Sequence, residues 1–114
     1  MFEYDFDRFT KALNLPGFDL VLLLDANGTV LAEKSTASVD LGLIADHFSS
    51  IVQLAESLAG HLNGGTLRTA ALEFEKRRVL FGTVNGFIVC GVPGNGTPTV
   101  YARNEITSAI EMLV

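Results

Sequence analysis

The sequence is poor in several residue types, and each shortage excludes a class of protein. One cysteine leaves no possibility of a disulfide within the chain. Eight lysines and arginines against 13 aspartates and glutamates give a formal net charge of −5, so the chain lacks the concentrated basic face that binding to nucleic acids or anionic membranes needs. The longest apolar run, Leu20 to Leu24, is far too short to span a bilayer. We therefore expect no nucleic-acid binding and no membrane insertion.

Charged residues are also scarce, at 18% of the 114 residues, against a usual share of about 25%. Hydrophobic residues make up 48%, enough for one packed core, and we predict a single domain over residues 1–114. A surface with few charges fits a protein that is partly covered in an assembly, although a well-packed small domain without a partner is the alternative. The acidic and aromatic residues 1–7 differ from a secretory signal, so we expect a cytoplasmic protein.

Apolar spacing and turn residues predict the order helix, hairpin, helix, three-stranded meander, helix. The predicted helices cover residues 2–14 and 40–63 and a segment that begins at Thr97-Pro98, and the predicted strands cover 18–24, 29–34, 66–74, 77–85 and 87–92. Strands 18–24 and 87–92 are apolar on both faces, so they should lie centrally with helices above and below. This pattern predicts an α/β (α+β) three-layer sandwich around a five-stranded antiparallel sheet.

Local signals predict how these elements begin and end. Ser38 or Asp40 should cap the long helix, and the glycines after Asn63 should end it in the left-handed conformation. Asn27-Gly28 and Asn85-Gly86 predict tight hairpin turns with positive φ angles. Thr97 should cap the last helix, with Pro98 at its first position.

The long helix is apolar around more than half of its circumference. At about 100° per residue, one apolar stripe faces its own domain and a second lies beside it. The first stripe consists of Leu41, Ile44, Ala45, Phe48, Val52, Ala55, Ala59 and Leu62. The second consists of Leu43, Ile51, Leu54 and Leu58, with His47 and His61 among them. A small domain can cover one stripe, so the second predicts contact with another protein molecule.

Residues 66–74 have few charges to protect an edge strand, which predicts a second site of contact next to the long helix. We predict a homodimer through the helix and this strand. The predicted interface residues are Leu43, His47, Ile51, Leu54, Leu58, His61, Leu67, Thr69, Ala71 and Glu73. Leu54→Asp or Ile51→Asp should break the dimer and leave the first stripe untouched.

The candidate metal and pH-sensing residues are the two histidines. His47 and His61 are 14 residues apart, about 21 Å along a straight helix, and cannot share a metal ion. Their place on the second stripe predicts interface residues or, failing that, ordinary surface histidines. If dimer contacts desolvate them, acidification should weaken the dimer.

No catalytic constellation emerges from the remaining residues. The loop from Gly91 to Thr97 lacks the lysine of a phosphate-binding loop, and Cys90 lies in an apolar strand with no histidine nearby. The carboxylates Asp5, Asp7, Asp19 and Asp25 are scattered, and nothing favours any one of Arg68, Arg77, Arg78 and Arg103 as a phosphoryl-stabilising arginine. Arg77 and Arg78 are interpreted as solvated charges. We predict a protein that is not an enzyme, with no cofactor and no metal.

Four segments together resemble the Roadblock family, the group of dynein light chains and bacterial small-GTPase regulators with a longin-like fold. They are Pro16-Gly17-Phe18, the run from Leu22 to Ala32, the helix end at Asn63-Gly64-Gly65, and the strand from Phe87 to Val92. The resemblance implies a dimer in which the third strands pair across a two-fold axis beside packed long helices. It also implies scaffolds or regulators of Ras-like GTPases, which sometimes stimulate hydrolysis without donating an arginine. The aromatic residues of segment 2–9 and the glycine-rich loop 93–96 depart from many bacterial members.

Three functions follow from these observations. The first is a homodimeric, non-catalytic regulator or scaffold that binds a small Ras-like GTPase. The second is a small-ligand sensor, which the lack of a polar group within the apolar set disfavours. The third is a purely structural adaptor of a larger complex.

Overall fold

A computed structural model describes residues 13–36 and 38–113 of the chain. Its strands are β1 (Phe18–Leu24), β2 (Val30–Ser35), β3 (Thr69–Glu73), β4 (Arg78–Val84) and β5 (Phe87–Pro93), and its helices are α1 (Leu41–His61) and α2 (Thr99–Met112). The predicted first helix, residues 2–14, lies outside the described residues apart from Leu13 and Asn14. The other predicted elements are present in the expected order.

The five strands form one antiparallel sheet in the order β2-β1-β5-β4-β3. β1 and β5 are neighbours inside the sheet, with Leu22 opposite Cys90, and both are buried along most of their length. Their apolar residues on both faces are explained by this position, because helices cover the sheet above and below. β3 lies at one edge, as predicted, with β4 as its one neighbour among the described strands.

Two apolar cores lie on opposite faces of the sheet, since successive residues of a strand point to opposite sides. Leu20, Leu22 and Leu24 of β1 contribute to the α1-side core, which also holds Phe48 and Phe81 with ring centroids 5.8 Å apart in an edge-to-face contact. The alternate residues Val21 and Leu23 contribute to the α2-side core, together with Ala102, Ile106 and Ala109 of α2. The predicted three-layer sandwich is confirmed.

The start of α1 agrees with the prediction, and its end differs in detail. The Asp40 side chain accepts a hydrogen bond of 3.1 Å from the Leu43 backbone N–H, which makes Asp40 the cap. At the other end Asn63, at φ 54°, takes the left-handed conformation that was expected of a glycine. The N–H groups of Asn63 and Gly64 then donate to the carbonyls of Gly60 and Ala59. Asparagine is the residue that replaces glycine at this position with least strain.

The predicted turn at Asn85-Gly86 is confirmed, because both residues have positive φ, at 50° and 82°. The turn between β1 and β2 is built differently. Gly28 has a φ of 86°, but Asn27 keeps a negative φ, and the Asp25 carboxylate accepts from the backbone N–H groups of Asn27 and Thr29, each at 2.9 Å. A side-chain acceptor therefore closes this turn in place of the expected Asn-Gly geometry.

The start of α2 also differs from the prediction. Pro98 is the residue that precedes the helix, and no side chain caps it. The Thr97 hydroxyl, which was expected to be the cap, donates instead to the Gly17 carbonyl at 2.8 Å. The Gly94 N–H donates to the same carbonyl, also at 2.8 Å, so the loop before α2 is joined to the residue that leads into β1.

Candidate interaction surface

A group of exposed residues on α1, called the helix flank below, forms half of the predicted interface. The helix flank consists of Leu43, His47, Leu54, Leu58 and His61. Leu54 is 72% exposed and Leu58 is 60% exposed. At about 100° per residue the five side chains fall within about 60° of the helix circumference. Large aliphatic residues this exposed and this close together are typical of a protein contact surface.

Two residues of the helix lie differently from the helical-wheel expectation. Ile51, assigned to the second stripe, is half-buried and packs against the α1-side core. Ile51→Asp would therefore disturb the domain's own core, so that part of the prediction was wrong. Leu62, assigned to the core stripe, is 69% exposed, because α1 ends at His61 and Leu62 leaves the helical conformation at ψ 0°.

The strand residues of the predicted interface point to different faces of the sheet. Ala71 packs against the α2-side core, and the exposed residues Thr69 and Glu73 share its parity along β3. Ala70 and Leu72 point to the other face and pack, with Leu67, against the α1-side core. A partner that lies beside α1 would thus approach the side chains of Ala70 and Leu72, while backbone pairing along β3 is open to it at every residue.

Helix α1 and the edge strand β3 pack on the same core. Ile51 of α1 and Leu72 of β3 are both half-buried against it, and the Leu67 N–H donates to the Glu56 carboxylate of α1 at 3.2 Å. The edge strand offers backbone hydrogen bonds, and the exposed leucines, on another side of α1, offer apolar contact.

The arginines of the β3–β4 hairpin are not freely solvated, contrary to the interpretation from sequence. Arg77 forms an ion pair with Asp19 at 2.9 Å. The Arg78 guanidinium donates to the Thr99 hydroxyl at 2.7 Å and to the carbonyls of Gly94, at 3.0 Å, and Thr97. Arg78 is half-buried and connects β4 to the loop before α2. Sequence reasoning missed this role because no local signal marks an arginine whose acceptors are backbone carbonyls of a distant loop.

The remaining candidate groups have structural environments. Cys90 is buried between β1 and β4, and burial raises the pKa of its thiol well above the ordinary value, which keeps it in the unreactive neutral form. Within residues 13–36 and 38–113, no three His, Cys, Asp or Glu side chains are grouped so that they could hold a metal ion. Neither described helix is long and apolar enough to cross a membrane.

Comparison with protein families and solved structures places this architecture among known proteins. The family model of the Roadblock/LC7 domain matches residues 7–92. No curated protein matches the chain in sequence.

Several solved structures share the fold. Myxococcus xanthus MglB is similar with a TM-score of 0.87 at 18% identity, over 99% of this chain and 90% of that one. A Roadblock/LC7 domain from Streptomyces avermitilis is similar with a TM-score of 0.79 at 16% identity, over 98% and 95%. A structure described as MglB with tetrameric arrangement has a TM-score of 0.76 at 16% identity, over 100% and 96%. At identities this low the similarity shows the fold alone.

Proposed function

The chain belongs to the Roadblock/LC7 family, and on this premise we propose that it is a homodimeric, non-catalytic regulator or scaffold of a small Ras-like GTPase. The observation that carries the proposal is the pair of contact surfaces formed by the exposed leucines of the helix flank and by the edge strand β3, whose one neighbour among the described strands is β4.

A dimer would cover both the backbone edge of β3 and the exposed leucines of α1. The outward backbone groups of β3 are satisfied most completely by another strand, and a second copy offers an identical one. A two-fold axis at the strand edge would bring two α1 helices side by side and cover Leu54 and Leu58 of each copy. Burial of apolar surface of this kind contributes about 25 cal/mol per Å². The tetrameric arrangement described for an MglB structure supports assembly as a property of proteins with this fold.

A Ras-like GTPase is the partner that the Roadblock resemblance implies. The positions of the arginines bear on how such a regulator would act. Arg78 is held by three oxygens and is not free to reach a phosphoryl group, whereas the ion pair of Arg77 with Asp19 is exposed to solvent. Arg68 and Arg103 are exposed, on the segment before β3 and on α2 respectively. Regulation through the shape of the dimer surface, with the GTPase supplying its own catalytic residues, is the mechanism that the Roadblock resemblance implies.

Nucleotide-dependent capture tests the proposal. The tagged protein is incubated with extract of its source cell in the presence of a non-hydrolysable GTP analogue or of GDP, and bound GTPases are identified by mass spectrometry. We expect one small GTPase to be enriched in one nucleotide state with wild-type protein and with Val100→Asp, an exposed change on α2, but not with Leu54→Asp. If no GTPase is retained in either state, the proposed function is wrong.

Single-turnover GTP hydrolysis by the captured GTPase separates regulation from simple tethering. Faster hydrolysis in the presence of the protein identifies a regulator. Unchanged hydrolysis with retained binding identifies a scaffold.

A further inference from the structure

A groove of about 670 Å³ lies between α1 and the β4–β5 turn. Its apolar lining includes Val52 of α1 and Ile88 of β5, and its polar lining includes Gln53, Glu56 and Thr83. The volume is within the range of about 300–1,000 Å³ that is typical of ligand-binding clefts. The groove therefore combines apolar contact area with a small number of polar groups.

The charge in this groove is of one sign. Of the described residues that line it, Glu56 alone carries a charged side chain. One oxygen of the Glu56 carboxylate accepts from the Leu67 N–H at 3.2 Å, and the Leu67 carbonyl accepts from the Thr83 hydroxyl. These hydrogen bonds fix the position of Glu56 beside the groove. A carboxylate has about four acceptor sites, so one hydrogen bond leaves it able to accept from a ligand.

The groove and the helix flank occupy different sides of α1. At about 100° per residue, Val52 and Glu56 lie roughly opposite Leu54 on the helix circumference, and Gln53 is about 80° or more away from each flank leucine. Contact through the helix flank thus leaves the groove accessible, and occupation of the groove does not require the dimer.

We propose that this groove binds a lysine or arginine side chain carried by a segment of a partner protein. The alkyl stem would pack on Val52 and Ile88, and the cationic group would donate to the Glu56 carboxylate. The groove is larger than one side chain, so it accommodates neighbouring residues of the segment as well. The net charge of −5 also favours a basic partner surface. This proposal is independent of the GTPase assignment.

Titration of ¹⁵N-labelled protein with a blocked Ala-Arg-Ala peptide, followed by NMR, tests the proposal. We expect saturable shifts of the Val52, Gln53, Glu56 and Thr83 amide signals with a Kd of about 1 mM. The matched peptide with citrulline in place of arginine has the same shape without the charge, and it should bind at least about fivefold more weakly. Equal binding of the two peptides, or no shifts at these residues, would overturn the proposal.

Two variants assign the effect to Glu56. Glu56→Gln keeps an oxygen for the Leu67 N–H and removes the charge, so it should weaken arginine-peptide binding by about fivefold, with the rest of the amide spectrum unchanged. Gln53→Glu adds a second carboxylate at the groove and should strengthen binding, which keeps the test decisive if Glu56→Gln is unstable. N-butylguanidinium bound as tightly as the peptide would indicate a site for small cations and contradict a protein segment as the ligand.

Discussion

At the scale of single residues, Arg78 joins parts of the chain that are far apart in sequence. Its acceptors on Gly94, Thr97 and Thr99 lie 16 to 21 residues further along. Two of the three are backbone carbonyls in a partly buried position, where an unsatisfied polar group is costly. The neighbouring Arg77 should contribute less to the stability of the fold, because its ion pair with Asp19 is well exposed to solvent.

Replacement of Arg78 by methionine tests this difference. Arg78→Met keeps much of the side-chain length and removes all donors, and we expect it to lower the free energy of unfolding by about 2–3 kcal/mol. Arg77→Met should cost less than about 1 kcal/mol, since exposed ion pairs contribute little. Urea denaturation of both variants provides the comparison. If the two variants lose the same free energy of unfolding, the hydrogen bonds of Arg78 do not stabilise the loop before α2.

Residues with local partners could be predicted from the sequence, and residues with distant partners could not. Asp40 was among the expected caps because its acceptor role requires only the N–H three residues later. Cys90 was expected to be buried because the strand around it is apolar. Arg78 and Glu56 escaped prediction because their hydrogen-bond partners lie on other elements, and sequence spacing carries no signal for such pairs.

At the scale of elements, strand and helix periodicity placed most side chains correctly. The helical wheel predicted the exposure of Leu43, Leu54 and Leu58, and it went wrong at Leu62 because the helix had already ended. Along β3, strand alternation places Ala70 and Leu72 towards α1, and Ala71 of the predicted interface packs on the α2 side. The error in predicted exposure at Leu62 thus lies where the helix ends.

Two glycines show how packing between elements constrains the chain. A Cβ atom on Gly82 of β4 would overlap the Arg68 carbonyl and the Ile110 side chain of α2, whereas a Cβ on Gly60 of α1 would meet nothing. Gly82→Ala should therefore destabilise the protein by about 1–3 kcal/mol through overpacking. Gly60→Ala should stabilise it by about 0.5–1 kcal/mol through helix propensity. Thermal unfolding measures both shifts, and destabilisation by Gly60→Ala would contradict the open environment described for it.

At the scale of the whole molecule, the proposed dimer depends on the exposed leucines of α1. Leu54→Asp places a carboxylate where the proposed partner contributes apolar side chains, and it should raise the dimer Kd by about 100-fold, equivalent to about 2.7 kcal/mol. Val100→Asp is the control, because Val100 is 74% exposed, on the other helix layer. Sedimentation velocity over a range of concentrations measures the Kd, and circular dichroism checks the fold. A Leu54→Asp variant as dimeric as the wild type would exclude the helix flank as the interface.

We predict that the two histidines of the helix flank would make the proposed dimer sensitive to pH. His47 and His61 are exposed in the single chain, and the His61 ring nitrogen Nδ1 lies 2.9 Å from the Ser57 carbonyl. In a dimer that covers the helix flank, a positively charged ring would have to lose its hydration among leucines, so a charge at either position should favour the monomer. Acidification from about pH 7.5 to about pH 5.5, a range over which histidine ordinarily gains a proton, should then weaken the dimer by about tenfold. Sedimentation velocity at the two pH values measures the effect, and the double variant His47→Gln, His61→Gln should lose it. If the double variant responds to pH as the wild type does, the pH dependence arises from other groups.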